Sequence, residues 1–455
     1  MLTKKTLPLW LVTFTIILSS CSSGTDPSTS VVQNSLETPG VIFTETITAE
    51  QVLTPTQNID NSSERSSVPI LVFGIDGQVV ADLTESVINA AEDFNHYQIA
   101  ENTIVSVEFD IHIVQFQPNS EISIEDAFLE SIRKHKPLMI LMAAPVDENL
   151  YGEIQNARVP VIYFGFAAPA IEFQTRSRDY LFWLVPTPSE QYAFVLEQLW
   201  TNWDQVRPPG NMNEFRIGNL SWESTPDRLE MDPEIIEFLQ QNNFVLQLEG
   251  EMRNSPHAST TNFILQCIPA GISVLYTDTI SYGPMVLLND IHSLGLNDFF
   301  VVSGSVWAYE SGNMKYLIAP ENVEKFYLPL PSKWWDEVDD PAIQTARQIL
   351  VHAGRSESDP NLAYLLGLGA MDMIDHVVQE ALRDQGGGVI SVSDVYSQLA
   401  GLKDYPVLGG LFVADYAGGK RSPVMLRLWA VSAGSGWNPI GSFERIPELL
   451  KEESQ

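Results

Sequence analysis

Few side chains in this chain are placed for covalent, redox or metal chemistry. The two cysteines, Cys21 and Cys267, cannot build a disulfide framework, and the seven histidines show no Cys-pair or His-pair zinc spacing. His257 precedes a helical stretch, and His292, His352 and His376 lie inside helical stretches, so none is set beside a nucleophile. There is no G-x-S-x-G elbow, Walker loop, H-E-x-x-H pair or EF-hand loop. Gly367-Leu368-Gly369 opens like a dinucleotide fingerprint but lies within a helical pattern, where close helix packing explains it. Asp339-Asp340 and Glu452-Glu453 sit at segment edges and read as solvated. Trp334-Trp335 reads as a hinge-region anchor, and Cys267, between apolar neighbours, as a buried inert thiol. The expectation is a protein without catalytic residues, metal or cofactor, not an enzyme.

Composition narrows the remaining chemistry to binding. The 455 residues carry 58 acidic and 25 basic side chains, a formal net charge of -33. A phosphate-binding face needs clustered Lys and Arg, so nucleic acid is excluded as a partner, as is a broad anionic-lipid surface. With 44% hydrophobic and only 18% charged residues, most of the chain must fold. At roughly 100–200 residues per domain, two or three packed units are expected.

Residues 1–20 read as a signal peptide: Lys4 and Lys5 precede the apolar run Leu7 to Leu18, which is too short to span a bilayer comfortably. Leu18-Ser19-Ser20-Cys21 resembles the lipobox of bacterial lipoproteins, which implies lipidation at Cys21 and an extracytoplasmic, membrane-anchored location in a bacterial cell envelope. An ordinary secretory cleavage site is the competing reading. Residues 21–67, rich in Ser, Thr, Pro, Asn and Gln, read as a flexible tether.

From Val68 the pattern alternates. Apolar strands at Pro69–Ile75, Ile104–Phe116, Leu138–Met142 and Val159–Phe164 are separated by helical segments at Asp82–Tyr97, Ser123–His135 and Leu150–Ala157. A helix follows at Pro188–Trp203, and Arg207-Pro208-Pro209-Gly210 breaks the pattern like a crossing between lobes. A second alternation begins at Phe215, with Asp232-Pro233 opening a helix and strands at Phe244–Leu248, Ile272–Tyr276, Phe299–Val302 and Lys325–Leu330. Later helices start at Asp340-Pro341 and Asp359-Pro360, and two tail strands lie at Leu411–Ala414 and Val424–Val431. Such alternation predicts parallel sheets covered on both faces.

Three stretches resemble the branched-chain amino-acid (Leu/Ile/Val)-binding family of ABC-transporter receptors. They are Val159 to Pro169 with Phe182 to Thr187 and Gln191; Val274-Leu275-Tyr276 with Leu294-Gly295-Leu296; and Gly410-Leu411-Phe412, Asp415, Gly418-Gly419, Val424 to Val431 and Gly436-Trp437. The resemblance implies the type I periplasmic binding protein fold, an α/β architecture of two doubly wound parallel-sheet lobes joined by a three-crossing hinge. The expected division is 68–205 plus 332–405 for the first lobe, 206–331 plus 406–440 for the second, and 441–455 as a C-terminal tail.

The resemblance places ligand between the lobes at the strands' carboxyl ends. It implies candidate ligand-binding residues Asp76, Ala144, Gly165, Phe166 and Ala167 from the first lobe. From the second come Trp222, Asp278, Thr279, Ser303, Ser305 and Trp307. For each aromatic the alternative is core packing or hinge contact, and for each polar loop residue simple solvation. The family's carboxylate-binding hydroxyls are replaced at Ala144 and Ala167, and its ammonium-binding acid is missing at about Gly304, where Asp278 is the nearest acidic substitute. A buried charge needs a partner, so the expected ligand is not a zwitterionic amino acid but a neutral or weakly polar molecule, stacked on Phe166, Trp222 or Trp307. The leading expectation is a lipid-anchored solute receptor that delivers to ABC permease subunits and touches the membrane through its anchor only. The alternative is a non-transport ligand-sensing or cell-envelope regulatory module on the same fold.

Overall fold

The computed structural model describes residues 66–76, 81–101, 107–165, 179–211, 213–223, 225, 228–308, 326–356, 361–432 and 436–449. All belong to one compact unit, Leu53–Gln455. The signal peptide, Cys21 and all but the end of the expected tether lie outside the described residues. Among the described residues, no helix is long and apolar enough to cross a membrane.

The first sheet is β1 (Ser66–Ile75), β2 (Val107–Phe116), β3 (Met139–Ala143), β4 (Val161–Tyr163) and β5 (Leu181–Trp183), in the order β2-β1-β3-β4-β5. Every pairing in it is parallel. Val68 and the run Ile70–Phe73 are fully buried, as are all five residues of β3, because helices cover both faces of a parallel sheet. β2 lies at the edge and alternates between buried and exposed positions over its first half. β1 starts at Ser66, so the fold takes up the last two residues of the expected tether.

The helices of this half are α1 (Ala81–Glu101), α2 (Ile124–His135) and α3 (Glu148–Ala157). Ser123 caps α2 by accepting from the Asp126 amide at 3.1 Å, and Asp147 caps α3 by accepting from Leu150 at 2.9 Å.

The next helix, α4 (Pro188–Thr201), opens with a capping box between Thr187 and Glu190. It packs on the second sheet: Tyr192, Phe194, Val195 and Leu199 share a core with Ile217, Val274, Tyr276 and Val301. The expected division at 205/206 therefore moves back to the segment 184–187. Arg207-Pro208-Pro209-Gly210, after the short α5 (Trp203–Val206), is an internal loop of the second half, where Gly210 donates to Asp298 O at 2.8 Å.

The second sheet comprises β6 (Arg216–Trp222), β7 (Val245–Met252), β8 (Val274–Thr277), β9 (Val301–Gly304), β10 (Phe326–Leu330), β13 (Met425–Ser432) and β14 (Gly436–Arg445). Their order is β14-β13-β10-β9-β8-β6-β7, with β13 pairing antiparallel to both β10 and β14. Helices α6 (Pro233–Gln241), α7 (Thr261–Cys267) and α8 (Gly283–Ser293) connect the parallel strands. The Asp232 cap and Pro233 start are as read from sequence, with the Asp232 carboxylate accepting from Glu234 N at 2.8 Å. Cys267 is fully buried, and burial pushes its thiol up to about 12.

Helices α9 (Pro341–His352), α10 (Leu362–Asp384) and α11 (Val392–Ala400) return to the first sheet. α10 begins at Leu362 because Asn361 supplies the cap, accepting from Tyr364 N at 2.7 Å. Asp340 is not merely solvated: it caps α9 through Ala342 N at 2.9 Å and pairs with Lys333.

The tail divides differently from expectation. β12 (Phe412–Ala414) pairs with β11 (Tyr405–Val407) in a two-stranded ribbon packed into the first core, so of the two expected tail strands β13 alone joins the second sheet. β14 occupies part of the expected C-terminal tail. Its Pro439, Gly441 and exposed polar residues give little strand signal.

Gly367 and Gly369 are packing glycines. A Cβ on Gly367 would stand 2.6 Å from Ala90 Cβ of α1, and one on Gly369 would stand 2.6 Å from the Phe412 ring. Gly367→Val is therefore expected to cost about 2 kcal/mol of unfolding free energy through overpacking, measured by urea denaturation. A neutral effect would refute this tight contact between α1 and α10.

Candidate functional site

Three chain crossings join the two lobes. The first runs from β5 into α4, the second from β10 into α9, and the third from the Tyr416 region into β13. They are bonded to one another. Trp183 N donates to Arg421 O at 2.7 Å, the Tyr416 hydroxyl donates to Trp183 O at 2.8 Å, and Lys333 N donates to Leu411 O at 2.9 Å.

The first turn of α4 adds a further tie. Gln191 is 1% exposed; its Nε2 donates to Pro186 O at 2.6 Å and its Oε1 accepts from Val306 N at 2.8 Å. Glu190 accepts from Ser422 Oγ of the third crossing at 3.3 Å. Trp334 stacks on Trp437 of β14 at 4.1 Å, while Trp335 donates its Nε1 to Asn361 O of the first lobe at 3.2 Å. Both tryptophans belong to the first lobe's core, and Trp334 meets the second sheet through Trp437.

The carboxyl ends of β6, β8 and β9 end in one polar row. Leu220 pairs with Thr277 and Thr277 with Gly304, so Ser221, Asp278 and Ser305 stand next in register across three strands. Ser221 Oγ donates to Asp278 Oδ2 at 2.8 Å. Asp278 Oδ1 and Ser305 Oγ are both sealed from solvent and have no hydrogen-bond partner. The row faces the first lobe: Ile280, two residues past Asp278, and Val306 with Trp307, just past Ser305, pack against the first lobe's core.

Burial pushes the Asp278 carboxyl up to about 7, and the like charge of Glu230 adds to the rise, against the Ser221 bond and Arg228. Glu230 is itself raised by burial and by Glu249. It belongs to a second layer in which the Tyr192 hydroxyl donates to Asn219 Oδ1 at 3.0 Å and Asn219 Nδ2 reaches Glu230 at 3.5 Å. Nothing in the sequence pattern marked Glu230, which sits on a single 3-10 turn, Leu229–Met231.

The other candidates fall into distinct places. Trp222, at the end of β6, sets its ring edge-on to Tyr282 at 5.5 Å and lies over the start of α8, where a Cβ on Gly283 would be 2.8 Å from the indole. Thr279 is buried and shares a 2.6 Å hydrogen bond with Thr277 Oγ1. Ser303 lies within β9, fully buried, and donates to Leu275 O at 3.3 Å. Trp307 is 2% exposed, packed in the core.

From the first lobe, Asp76 is exposed at the end of β1 and accepts from Gln117 at 2.6 Å. Ala144 is fully buried past β3. Gly165 has φ +86, and a Cβ there would lie 2.1 Å from Val185, so only glycine fits. Phe166 and Ala167 lie outside the described residues. The structure therefore gathers Trp222, Asp278 and Ser305 at one edge of the second sheet, with Thr279 and Ser303 behind them holding loops and strands in place. Among the described residues, no group of three or more His, Cys, Asp or Glu is arranged to hold a metal ion.

No protein-family model matches the sequence, and no curated protein matches it. Solved structures do match. A branched-chain amino acid ABC transporter protein from Thermus thermophilus, with bound valine, superposes with a TM-score of 0.68 at 16% identity, covering 84% of this chain and 97% of that one. A substrate-binding periplasmic protein from Ralstonia solanacearum gives 0.63 at 14% identity, covering 82% and 99%. The substrate-binding protein LivJ from Streptococcus pneumoniae, in complex with isoleucine, gives 0.62 at 12% identity, covering 82% and 99%. The fold is that of the type I periplasmic binding proteins. The lobes, the crossings and the strand-end edges described above are the parts of that fold.

A carboxyl whose folded pKa is raised binds its proton more tightly in the folded state, so its contribution to stability is complete at low pH and is lost as pH rises from about 4 to about 7. Asp278→Asn is therefore expected to match the wild type near about pH 4 and to exceed it by roughly 1–3 kcal/mol above about pH 7.5. Paired denaturation curves at the two pH values test this. A wild type as stable as the variant at the higher pH would contradict the buried-carboxyl assignment.

Proposed function

We propose that this chain is an extracytoplasmic solute-binding receptor that captures a small molecule between its two lobes and delivers it to an ABC importer. The observation that carries this reading is the row Ser221–Asp278–Ser305, with two sealed, unpartnered oxygens at the carboxyl edge of a parallel sheet facing the other lobe. Ligands of open α/β sheets bind outside such strand ends. The crossings at 184–187, around Ser332 and around Arg421 form the hinge about which the lobes close. The related folds support the reading, since one is described as a branched-chain amino acid ABC transporter with bound valine and another as a branched-chain amino acid transporter substrate-binding protein in complex with isoleucine.

The anchor belongs to the same proposal. Residues 1–20 direct export, Cys21 carries the lipid, and the tether lifts the lobes to permease subunits at the membrane. A Cys21→Ser change is expected to move the protein from the membrane fraction to the soluble fraction and to abolish labelling by radioactive fatty acid. Unchanged membrane partition and labelling would refute the anchor.

A second reading has one observation in its favour. Val306 and Trp307 pack into the first lobe's core, and Gln191 ties them to the first crossing, so the lobes are held together by the protein's own side chains. A ligand-sensing or cell-envelope regulatory module needs no more than this.

Native mass spectrometry of the gently purified full chain, followed by denaturation and identification of released small molecules, separates the two. A stoichiometric metabolite supports the receptor. An empty protein whose melting temperature no metabolite library shifts supports the regulatory module, since tight binding must raise it by mass action. With a ligand in hand, Trp222→Ala is expected to weaken binding by about tenfold, the worth of one aromatic contact, with the fold intact by circular dichroism.

A further inference from the structure

We propose that the pole of the first lobe formed by the amino-terminal ends of its strands docks on anionic lipid headgroups beside the protein's own anchor, a proposal that rests on the anchor reading above. The acidic average of the chain rules out a broad lipid-binding face, but four unpaired cations gather in one place. Arg133, Lys134 and Lys136 close α2, and Arg158 closes α3. All four are exposed, and none has an ion-pair partner among the described residues. Arg133 reaches only the Leu129 carbonyl of its own helix, at 3.4 Å. Elsewhere the surplus of acids captures cations: Arg228, Lys333, Arg355, Lys420 and Arg427 each pair with a carboxylate.

The fold brings these helix ends together where the tether enters. Helices α2 and α3 lie side by side. Lys136 precedes Met139 of β3, and Arg158 precedes Val161 of β4, by the same three residues. The two strands are parallel neighbours in which Ile140 matches Val161. On the other side of β3, Ile70 of β1 matches Met139, so the first residue of β1, Ser66, extends past the start of β3 toward the same pole. A flexible tether of the length expected for residues 21–65 spans roughly 35–40 Å. It keeps this pole near the bilayer at high effective concentration.

Stability does not call for all of these cations. Arg133 and Lys134 already complement the carboxyl end of α2. Lys136 and Arg158 sit at the C-cap positions with φ of 46° and 54°, the left-handed region where a side chain is strained and glycine is usual. Glycine would make the same backbone caps without strain, so both helices accept strain to place a cation at this pole. Only charges within about a Debye length of the headgroups, roughly 8–10 Å, act on them, so the acids of the remote lobe do not cancel the patch. Each Lys or Arg so placed raises partition about fivefold. The patch alone is a weak, salt-sensitive contact; it orients the leashed lobe, and the lipid holds it.

The test uses the full lipidated chain in vesicles of phosphatidylcholine alone and of an equal mixture with phosphatidylglycerol. A short pulse of an amine-acetylating reagent is read by mass spectrometry at Lys134 and Lys136, with Lys403, exposed in the turn before β11, as the control. Anionic vesicles are expected to lower labelling of Lys134 and Lys136 about fivefold relative to neutral ones and to leave Lys403 unchanged, the difference vanishing at about 1 M salt. Equal labelling in the two kinds of vesicle overturns the proposal. Protection that persists without vesicles overturns it too, and names the acidic tether as the occupant. The double variant Lys136→Gly, Arg158→Gly is expected to melt no lower than the wild type. In the Cys21→Ser background it should bind anionic vesicles roughly twentyfold more weakly at low salt. Unchanged binding refutes the docking. That arm needs no lipid on the protein, so fatty-acid labelling of Cys21 decides the anchor reading separately.

Discussion

The relative placement of the two sheets depends on a buried side-chain amide at the first turn of α4. Gln191 spends its donor on the carbonyl of Pro186, in the first crossing, and its acceptor on the amide of Val306, just past β9. At 1% exposure neither group has water to fall back on, so breaking either bond leaves a buried polar group unpaired at a cost of about 1–3 kcal/mol. The capping box at Thr187 and Glu190 fixes where the helix starts, and Glu190 extends the tie to Ser422 in the third crossing. One helical turn thus sets the register between a crossing, the β9 strand end and the hinge. Ser305 is adjacent to Val306, so the geometry of the polar row follows from the same contact.

The crossings are tied to one another by a small set of backbone bonds, Trp183 with Arg421 and Lys333 with Leu411, the latter in the turn before β12. Trp334 and Trp335 add bulk on either side of the second crossing, one against Trp437 and one beneath Asn361. Charge supports the arrangement locally: Arg427 pairs with Glu337 at 2.9 Å and Trp437 N donates to Asp336 at 2.9 Å, so two acids of a strongly acidic turn are already spoken for.

Most of the architecture was legible in the sequence because parallel strands buried on both faces leave continuous apolar runs, as at Ile70–Phe73 and Met139–Ala143. Caps were equally readable where Asp precedes Pro, as at Asp232 and Asp340. What failed was allegiance. Helix α4 has an apolar face that suits either sheet, and only the tertiary contacts of Tyr192 and Phe194 assign it to the second. Likewise β12 is too short to declare whether it extends a sheet or closes a ribbon with β11. At the site, strand-end position singled out Asp278, Trp222 and Ser305, since a residue just past an apolar run in this fold lies at the sheet's carboxyl edge. Ser303 and Thr279 carry the same signal in sequence, yet Ser303 lies inside β9 with its hydroxyl on Leu275 O, and Thr279 turns back to Thr277. Glu230 was invisible because it acts through Asn219 from a turn without periodicity.

The cost of the polar row is itself informative. A folded protein ordinarily pairs a buried carboxyl with a cation or surrounds it with donors. Here Arg228 acts on the carboxyl only through its field and is turned to Glu251 and Glu230, and Asp278 keeps one hydroxyl bond and one open oxygen. Replacing Asp278 with an apolar residue of similar size would relieve that penalty and leave the backbone ladder intact, at the cost of the Ser221 hydroxyl's acceptor. Stability alone therefore does not account for the residue. A group held desolvated and oriented before its partner arrives has already met its ordering and dehydration costs, so the partner gains the full interaction on binding. That cost is the physical ground on which the row is proposed as a site rather than a packing accident.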